Sequence, residues 1–205
     1  MRLRSILQGA HAFLSPSAAL AGLSANHASH RPTNSGHSIA EIVAHMAFWQ
    51  NWFLDRCDGI ATPVPAPAAL GWPAVADGEW DDVLARFESG FKRALAIADE
   101  ETRSTRRVLP PIEFEPFANY TTAAVLIHVA LHNAHHTGQV IILRQQLGAW
   151  PPPLGAGPGK EGQEGLIRLT GRPGRSGRFR LHRKFGKIRK FILIFLISCE
   201  PNLPS

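Results

Sequence analysis

Four histidines fall within nine residues of this chain, at His128, His132, His135 and His136. Imidazole is the commonest side chain to bind a divalent metal near neutral pH. Leu126, Val129, Ala130, Val140, Ile141, Leu143 and Leu147 recur at helical spacing through the same stretch, so a helix is expected there. Gly148 stands where a C′ residue would end it. His128, His132 and His136 are four residues apart and share one helix face, each about 6 Å further along the axis. Two imidazoles one turn apart can reach a single ion, as helical His-x3-His pairs do. His135 projects about 100° away from His136 and is expected at the surface or an interface.

Two ligands do not make a tight site, and the third candidate is His45. It lies in a second helical stretch opened by Ser38, with Glu41 three residues on to complete a capping box. Ile39, Ile42, Val43, Met46, Trp49 and Phe53 form the buried stripe of that helix, and His45 borders it. A lone histidine in such a place is usually a hydrogen-bonded structural residue. Taken with His132 and His136, His45 reads as a metal ligand.

Three neutral imidazoles without a carboxylate or thiolate suit Zn²⁺, Ni²⁺, Co²⁺ or Fe²⁺. Three protein ligands leave a coordination position for water or substrate, the arrangement of catalytic rather than structural sites. A metal there would bring the pKa of bound water to about 7, or hold a bound thiol as thiolate. His128, one turn before His132, reads first as a core polar group, then as a group orienting a ligand, then as a ligand itself. Gln139, three residues beyond His136, and Glu41, one turn before His45, are candidates for orienting the ligands. No Gly-rich phosphate loop and no Ser-His-Asp arrangement is apparent.

The elements that must position these groups follow from the apolar pattern. Residues 2–13 read as a first, short helix, followed by helical turns from Ser15 to Leu23 and from Ser24 to His30. His27, His30 and His37 read as solvated or capping groups. The His45 helix should run from Ser38 to Cys57 and stop at Gly59. Residues 60–76 are too proline-rich for a helix, and the preferred reading of Trp72 and Trp80 is that they anchor this connection in the core. A third helix is expected from Asp77 to about Glu101, lined by Val83, Leu84, Phe87, Phe91, Leu95 and Ile97. Thr102 to Phe117 reads as extended, with Val108, Ile112, Phe114 and Phe117 near a pocket mouth. Thr121 or Thr122 should cap the histidine-bearing helix.

Ser-Ile-x-Glu-Ile-x-x-His-x-x-x-Trp-Gln, beginning at Ser38, is followed by His-x-x-x-His-x-x-Gln from His132. Leu-Arg-Gln-x-Leu-Gly-Ala-Trp-Pro-Pro then begins at Leu143. In this combination and order the chain resembles the DinB-like (YfiT-like) metalloenzyme superfamily over roughly residues 1–153. The resemblance implies an all-α, up-down-down-up four-helix bundle, often dimeric, with a divalent metal held by three histidines. Carried over position by position, those are His45, His132 and His136. Relatives include transferases that use a low-molecular-weight thiol, bacillithiol or mycothiol, and a thiol-dependent isomerase. The resemblance therefore suggests an enzyme that activates a small thiol for attack on an electrophile, in detoxification or stress response.

An apolar content of 44% over 205 residues suffices for one domain with a core. The net charge of +6 is unevenly spread. Residues 1–155 hold 11 Lys/Arg against 13 Asp/Glu, whereas the remainder holds 11 against 3. The acidic balance of the first part argues against nucleic acid as its ligand. From residue 154 the chain turns into a basic Gly/Pro/Arg-rich tail, expected to be disordered or not a selected structure; the alternative is a non-catalytic metal-binding or interaction module that binds nucleic acid or a membrane surface through this tail. Two cysteines, Cys57 and Cys199, make no disulfide framework and suit a reducing cytoplasm. Gln8, His11, Ser15 and Pro16 break any signal-peptide h-region, and no apolar run approaches the ~20 residues of a membrane span. The partners expected are a small-molecule substrate and a second copy of the chain in a homodimer.

Overall fold

The computed structural model describes residues 2–65, 68–113 and 117–153. Phe114 and the tail from residue 154, for which expectations were stated above, lie outside the described residues. Among the described residues the fold is all-α: α1 (Leu3–Leu7), α2 (Pro16–Leu20), α3 (Ala25–Ser29), α4 (Ile39–Cys57), α5 (Trp80–Asp99) and α6 (Thr122–Gln146), with no strand. The three long helices carry the site and the core. Helix α4 packs against both α5 and α6, and α1 lies against α5 and α6. No helix among the described residues is long and apolar enough to cross a membrane.

Local chemistry sets the ends of the long helices. The Ser38 hydroxyl accepts the Glu41 amide at 3.2 Å while the Glu41 carboxylate accepts the Ser38 amide at 2.7 Å, a complete capping box for α4. Thr121 caps α6 by accepting the Ala124 amide at 3.2 Å, and Gly148 ends it with φ +68°. Asp81 and Asp82 occupy the first turn of α5, where the helix dipole favours negative charge. That helix begins at Trp80 rather than Asp77.

The first helix is shorter than the apolar pattern suggests. It ends at Leu7 because Gly9, Ala10 and His11 take φ of +99°, +47° and +65°. A Cβ on Gly9 would stand 2.2 Å from the Phe13 carbonyl oxygen, so the turn requires glycine. Val108 and Ile112, expected near a pocket mouth, are instead core residues, 4% and 1% exposed. Both are apolar and lie within the loop that the Arg107–Thr121 bridge closes, where they pack against the helical core.

Val43, Leu54, Val83, Phe87, Ala94 and Val125 are fully buried where the three long helices meet. Burying each larger side chain stabilises the fold by about 1.5–3 kcal/mol relative to exposure. A polar seam crosses this core and sets the helix register. Asn133 on α6 donates to the Gln50 side chain at 2.9 Å, and Gln50 on α4 donates to the Phe87 carbonyl of α5 at 3.0 Å. Gly90 permits that approach, since a Cβ there would stand 2.6 Å from the Gln50 amide nitrogen and 2.5 Å from the Asn51 side-chain oxygen. At the far end of α6, buried Arg144 donates to the carbonyls of Ala149, Ala19 and Ala21. It thereby ties the Leu-Arg-Gln…Trp-Pro-Pro segment to the end of α2.

Candidate metal centre

Helices α4 and α6 bring His45, His132 and His136 together, with one nitrogen from each lying within 4.8 Å of the others. His45 is 0% exposed, His136 1% and His132 9%. His132 and His136 meet because they are one turn apart on α6. His45 meets them because the Gln50–Asn133 bond, just over a turn along α4, holds the two helices in register.

Two of the three rings are oriented by oxygen acceptors. The His45 Nδ1 lies 2.7 Å from the Gly71 carbonyl oxygen, which can only accept, so the proton sits on Nδ1 and Nε2 presents its lone pair. His136 Nδ1 donates to the Gln139 side-chain oxygen at 2.6 Å, which again leaves Nε2 as the available ligand atom. The Nε2 atoms of His45 and His132 face one another at 3.3 Å. Two nitrogens each about 2.0–2.1 Å from a tetrahedral zinc stand roughly 3.3–3.4 Å apart, so this pair has the spacing one ion needs. The donor set, three neutral imidazoles with two protons directed away onto oxygen, fits a borderline divalent cation.

Burial keeps these rings uncharged. It pushes the His45 pKa down to about 3 and that of His136 to about 4, and it lowers that of His132, with neighbouring imidazoles adding to the effect at His45 and His132. The three groups are therefore neutral imidazoles at neutral pH, the state metal binding requires.

The other candidates divide. Gln139 contacts His136 directly. His128 sits half-buried in an aromatic nest, with ring centroids 4.5 Å from Phe53 and 5.0 Å from Phe117. The Glu41 carboxylate is engaged by the Ser38 amide, by an ion pair with Arg31, and by His37 at 3.8 Å. His135 is exposed, its ring edge-on to His136 at 4.9 Å. Cys57 is no neighbour of the triad: burial pushes its thiol up to about 11, which makes it a poor nucleophile at neutral pH.

Two residues at the centre were assigned other roles from the sequence, Trp72 as a core anchor and His37 as a solvated or capping group. Trp72 stacks on His45 with ring centroids 3.8 Å apart and planes 13° off parallel, and His37 stacks on the other face of Trp72 at 3.9 Å and 9°. Trp80 behaves as the anchor expected of it, buried and donating to the Leu23 carbonyl at 3.3 Å. Trp72 anchors the connection too, but does so on a candidate ligand. No periodicity marks a tryptophan in a proline-rich connection as a partner of a histidine 27 residues earlier. The available signal was composition, an aromatic residue following a glycine in an otherwise small-residue loop.

A family model described as mycothiol-S-transferase matches residues 2–149, well over half of the chain, and the chain belongs to that family. The match covers all three histidines and agrees with the DinB-like resemblance. Among curated proteins and among solved structures, nothing matches the chain.

Proposed function

We propose that this member of the mycothiol-S-transferase family is a metal-dependent thiol S-transferase in which His45, His132 and His136 hold one divalent cation. The observation that carries this reading is the convergence of three buried, uncharged imidazoles, two of which direct their protons away from the meeting point. A bound cation would supply the Lewis acidity that keeps a small thiol as thiolate at neutral pH. The chain supplies the rest: Gly71 and Gln139 fix the ligand rings, and the surrounding core excludes bulk water. In the reaction the thiol gives up its proton to water, its sulfur bonds the electrophilic carbon, and the displaced group departs with the electron pair of the bond that breaks. The chain's own described thiol, Cys57, is held protonated by burial and does not compete as a nucleophile at neutral pH.

This reading places the catalytic unit in residues 1–153 and the protein in a reducing cytoplasm, in detoxification or stress response. It includes a homodimer, for which Leu131 and Ile142 on α6, 58% and 56% exposed, offer apolar surface. Zinc-, nickel-, cobalt- or iron-loaded protein should be incubated with mycothiol, bacillithiol or simpler thiols and a panel of electrophiles, with products read by mass spectrometry. A metal-dependent conjugate, lost in His132→Ala, is the expected result. Stoichiometric metal without any conjugate would favour a non-catalytic metal-binding module. Truncation after Pro153 should leave conjugation intact, whereas a binder acting through its basic tail would lose a salt-sensitive affinity.

A further inference from the structure

We infer that Gly71 and Trp72, carried on the connection between α4 and α5, are positioning residues that hold His45 in the tautomer and ring plane needed of a ligand. The inference rests on the metal reading above. The Gly71 carbonyl takes the Nδ1 proton at 2.7 Å. The Trp72 indole lies flat on the imidazole at 3.8 Å and is backed by His37 at 3.9 Å, so three rings form a nearly parallel stack. Partial rotation of the His45 ring about its χ2 bond would lift it off Trp72, and a full 180° turn would keep the stack but lose the Gly71 bond. That turn would put Cδ2 where Nδ1 stands and Cε1 where Nε2 stands, taking Nε2 away from His132, which it now faces at 3.3 Å. A neutral imidazole free in water prefers its proton on Nε2; the loop enforces the opposite choice.

Glycine at position 71 is part of the device. A Cβ there would stand 2.5–2.7 Å from three atoms of the Trp49 indole, a rigid ring packed against the core. Any side chain would lift the loop from Trp49 and take the carbonyl away from His45. The Glu41 carboxylate caps α4 and lies 3.8 Å from the His37 ring nitrogen, so the outer ring of the stack sits beside the start of the same helix that bears His45.

The test uses the full-length chain labelled with ¹⁵N, as wild type, Trp72→Phe, Trp72→Ala and Gly71→Ala. Two-bond ¹H–¹⁵N correlation spectra of the metal-stripped protein read the His45 tautomer, and Co²⁺ titration followed by visible absorption reads the affinity. Wild type and Trp72→Phe should show the proton on Nδ1 of His45. Trp72→Ala and Gly71→Ala should shift it toward Nε2 and weaken Co²⁺ binding by about 10–100-fold, the usual effect of losing a group that orients a ligand. Should Trp72→Ala fail to fold, Trp72→Leu fills the volume without a flat π face and carries the same expectation. An unchanged tautomer and an unchanged Co²⁺ affinity in both variants would overturn the inference and reduce Trp72 to a loop anchor. Tautomer shifts as expected, in a protein that binds no Co²⁺ in any form, would uphold the positioning of His45 while overturning the metal reading.

Discussion

Helix α4 carries two polar clusters of opposite character. In its first half His45 turns inward to meet two imidazoles, in a donor set that contains no carboxylate or thiol. Ten residues later, about 15 Å along the axis, Asp55 and Asp58 turn outward to Arg93 and Arg103. Arg93 donates to Asp55 at 2.9 Å and to Asp58 at 3.0 Å, and Arg103 donates to Asp58 and to the Cys57 carbonyl at 2.7 Å. The first cluster is dry and neutral; the second is ionised and in contact with water. Burial sets the first, lowering the histidine pKa values. At Asp58 burial alone would raise the pKa, but hydrogen bonds from Arg103 and Arg93 outweigh it and hold the carboxyl below its ordinary value. A helix bundle gains little from exposed ion pairs and loses much by burying unpaired polar groups. The wet cluster therefore reads as fold and the dry one as function.

The largest contrast is in metal binding. Removing an imidazole at His132 or His136 should abolish stoichiometric metal, while Arg93→Ala should leave the metal content at the wild-type value. Elemental analysis after gel filtration reads both. In wild type, saturating Zn²⁺ at 100 times Kd should raise stability by about 2.7 kcal/mol. With roughly 2–4 °C per kcal/mol for a domain of this size, the shift is readily seen by calorimetry.

The two clusters should also separate along the pH axis. Metal-free protein holds its buried histidines neutral, with folded pKa values below the ordinary 6.5. The unfolded chain takes up protons first, so stability is greatest above pH 6.5 and falls steadily toward pH 4 to 3. The Asp58 cluster works on a different stretch. Its folded pKa lies below the ordinary 3.8, so its contribution is present above that value and is lost only as pH falls through the lowered one. Urea titrations between pH 3 and 8 should therefore show a sloping arm below pH 6.5. His128→Phe, which removes a half-buried imidazole from an aromatic nest, should flatten that arm, and Asp58→Asn should flatten only the acid end.

Smaller effects belong to the seam and the surface. Gln50→Ala leaves the Asn133 amide unsatisfied in the core and should cost about 1–3 kcal/mol. Because the same bond keeps α4 and α6 in register, metal affinity should fall with it. Arg93→Ala should change stability by about 0–1 kcal/mol, and by less as salt is raised. An Arg93 variant that lost metal, or a Gln50 variant that lost stability but not affinity, would break the division between the two clusters.

What could be read in advance follows the reach of each signal. The capping box at Ser38 and Glu41, the stop at Gly148 and the one-turn spacing of His132 and His136 are local, and they stand as expected. His45 was reachable because a recognisable block surrounds it. The end of α1 was misjudged because Ala10, Ala12 and Phe13 continue an apolar pattern while the backbone reverses through Gly9 to His11. Val108 and Ile112 were misplaced because an extended segment has no helical face from which burial can be inferred. Trp72, Gly71 and His37 were missed for the plainest reason: they reach the centre across a loop, where spacing along the chain says nothing about distance in space.

The central claim is one cation held by three histidines from two helices, and metal content per chain tests it most directly. Protein purified without a histidine tag, with His45→Ala, His132→Ala and His136→Ala beside it, would be measured by elemental mass spectrometry after Zn²⁺ or Ni²⁺ reconstitution. The account predicts about one metal per wild-type chain and loss in all three variants, with each variant still giving the helical circular dichroism of wild type. Retention of metal in the His45 variant would confine the site to α6, and absence of metal from the wild type would leave three buried histidines whose role is structural.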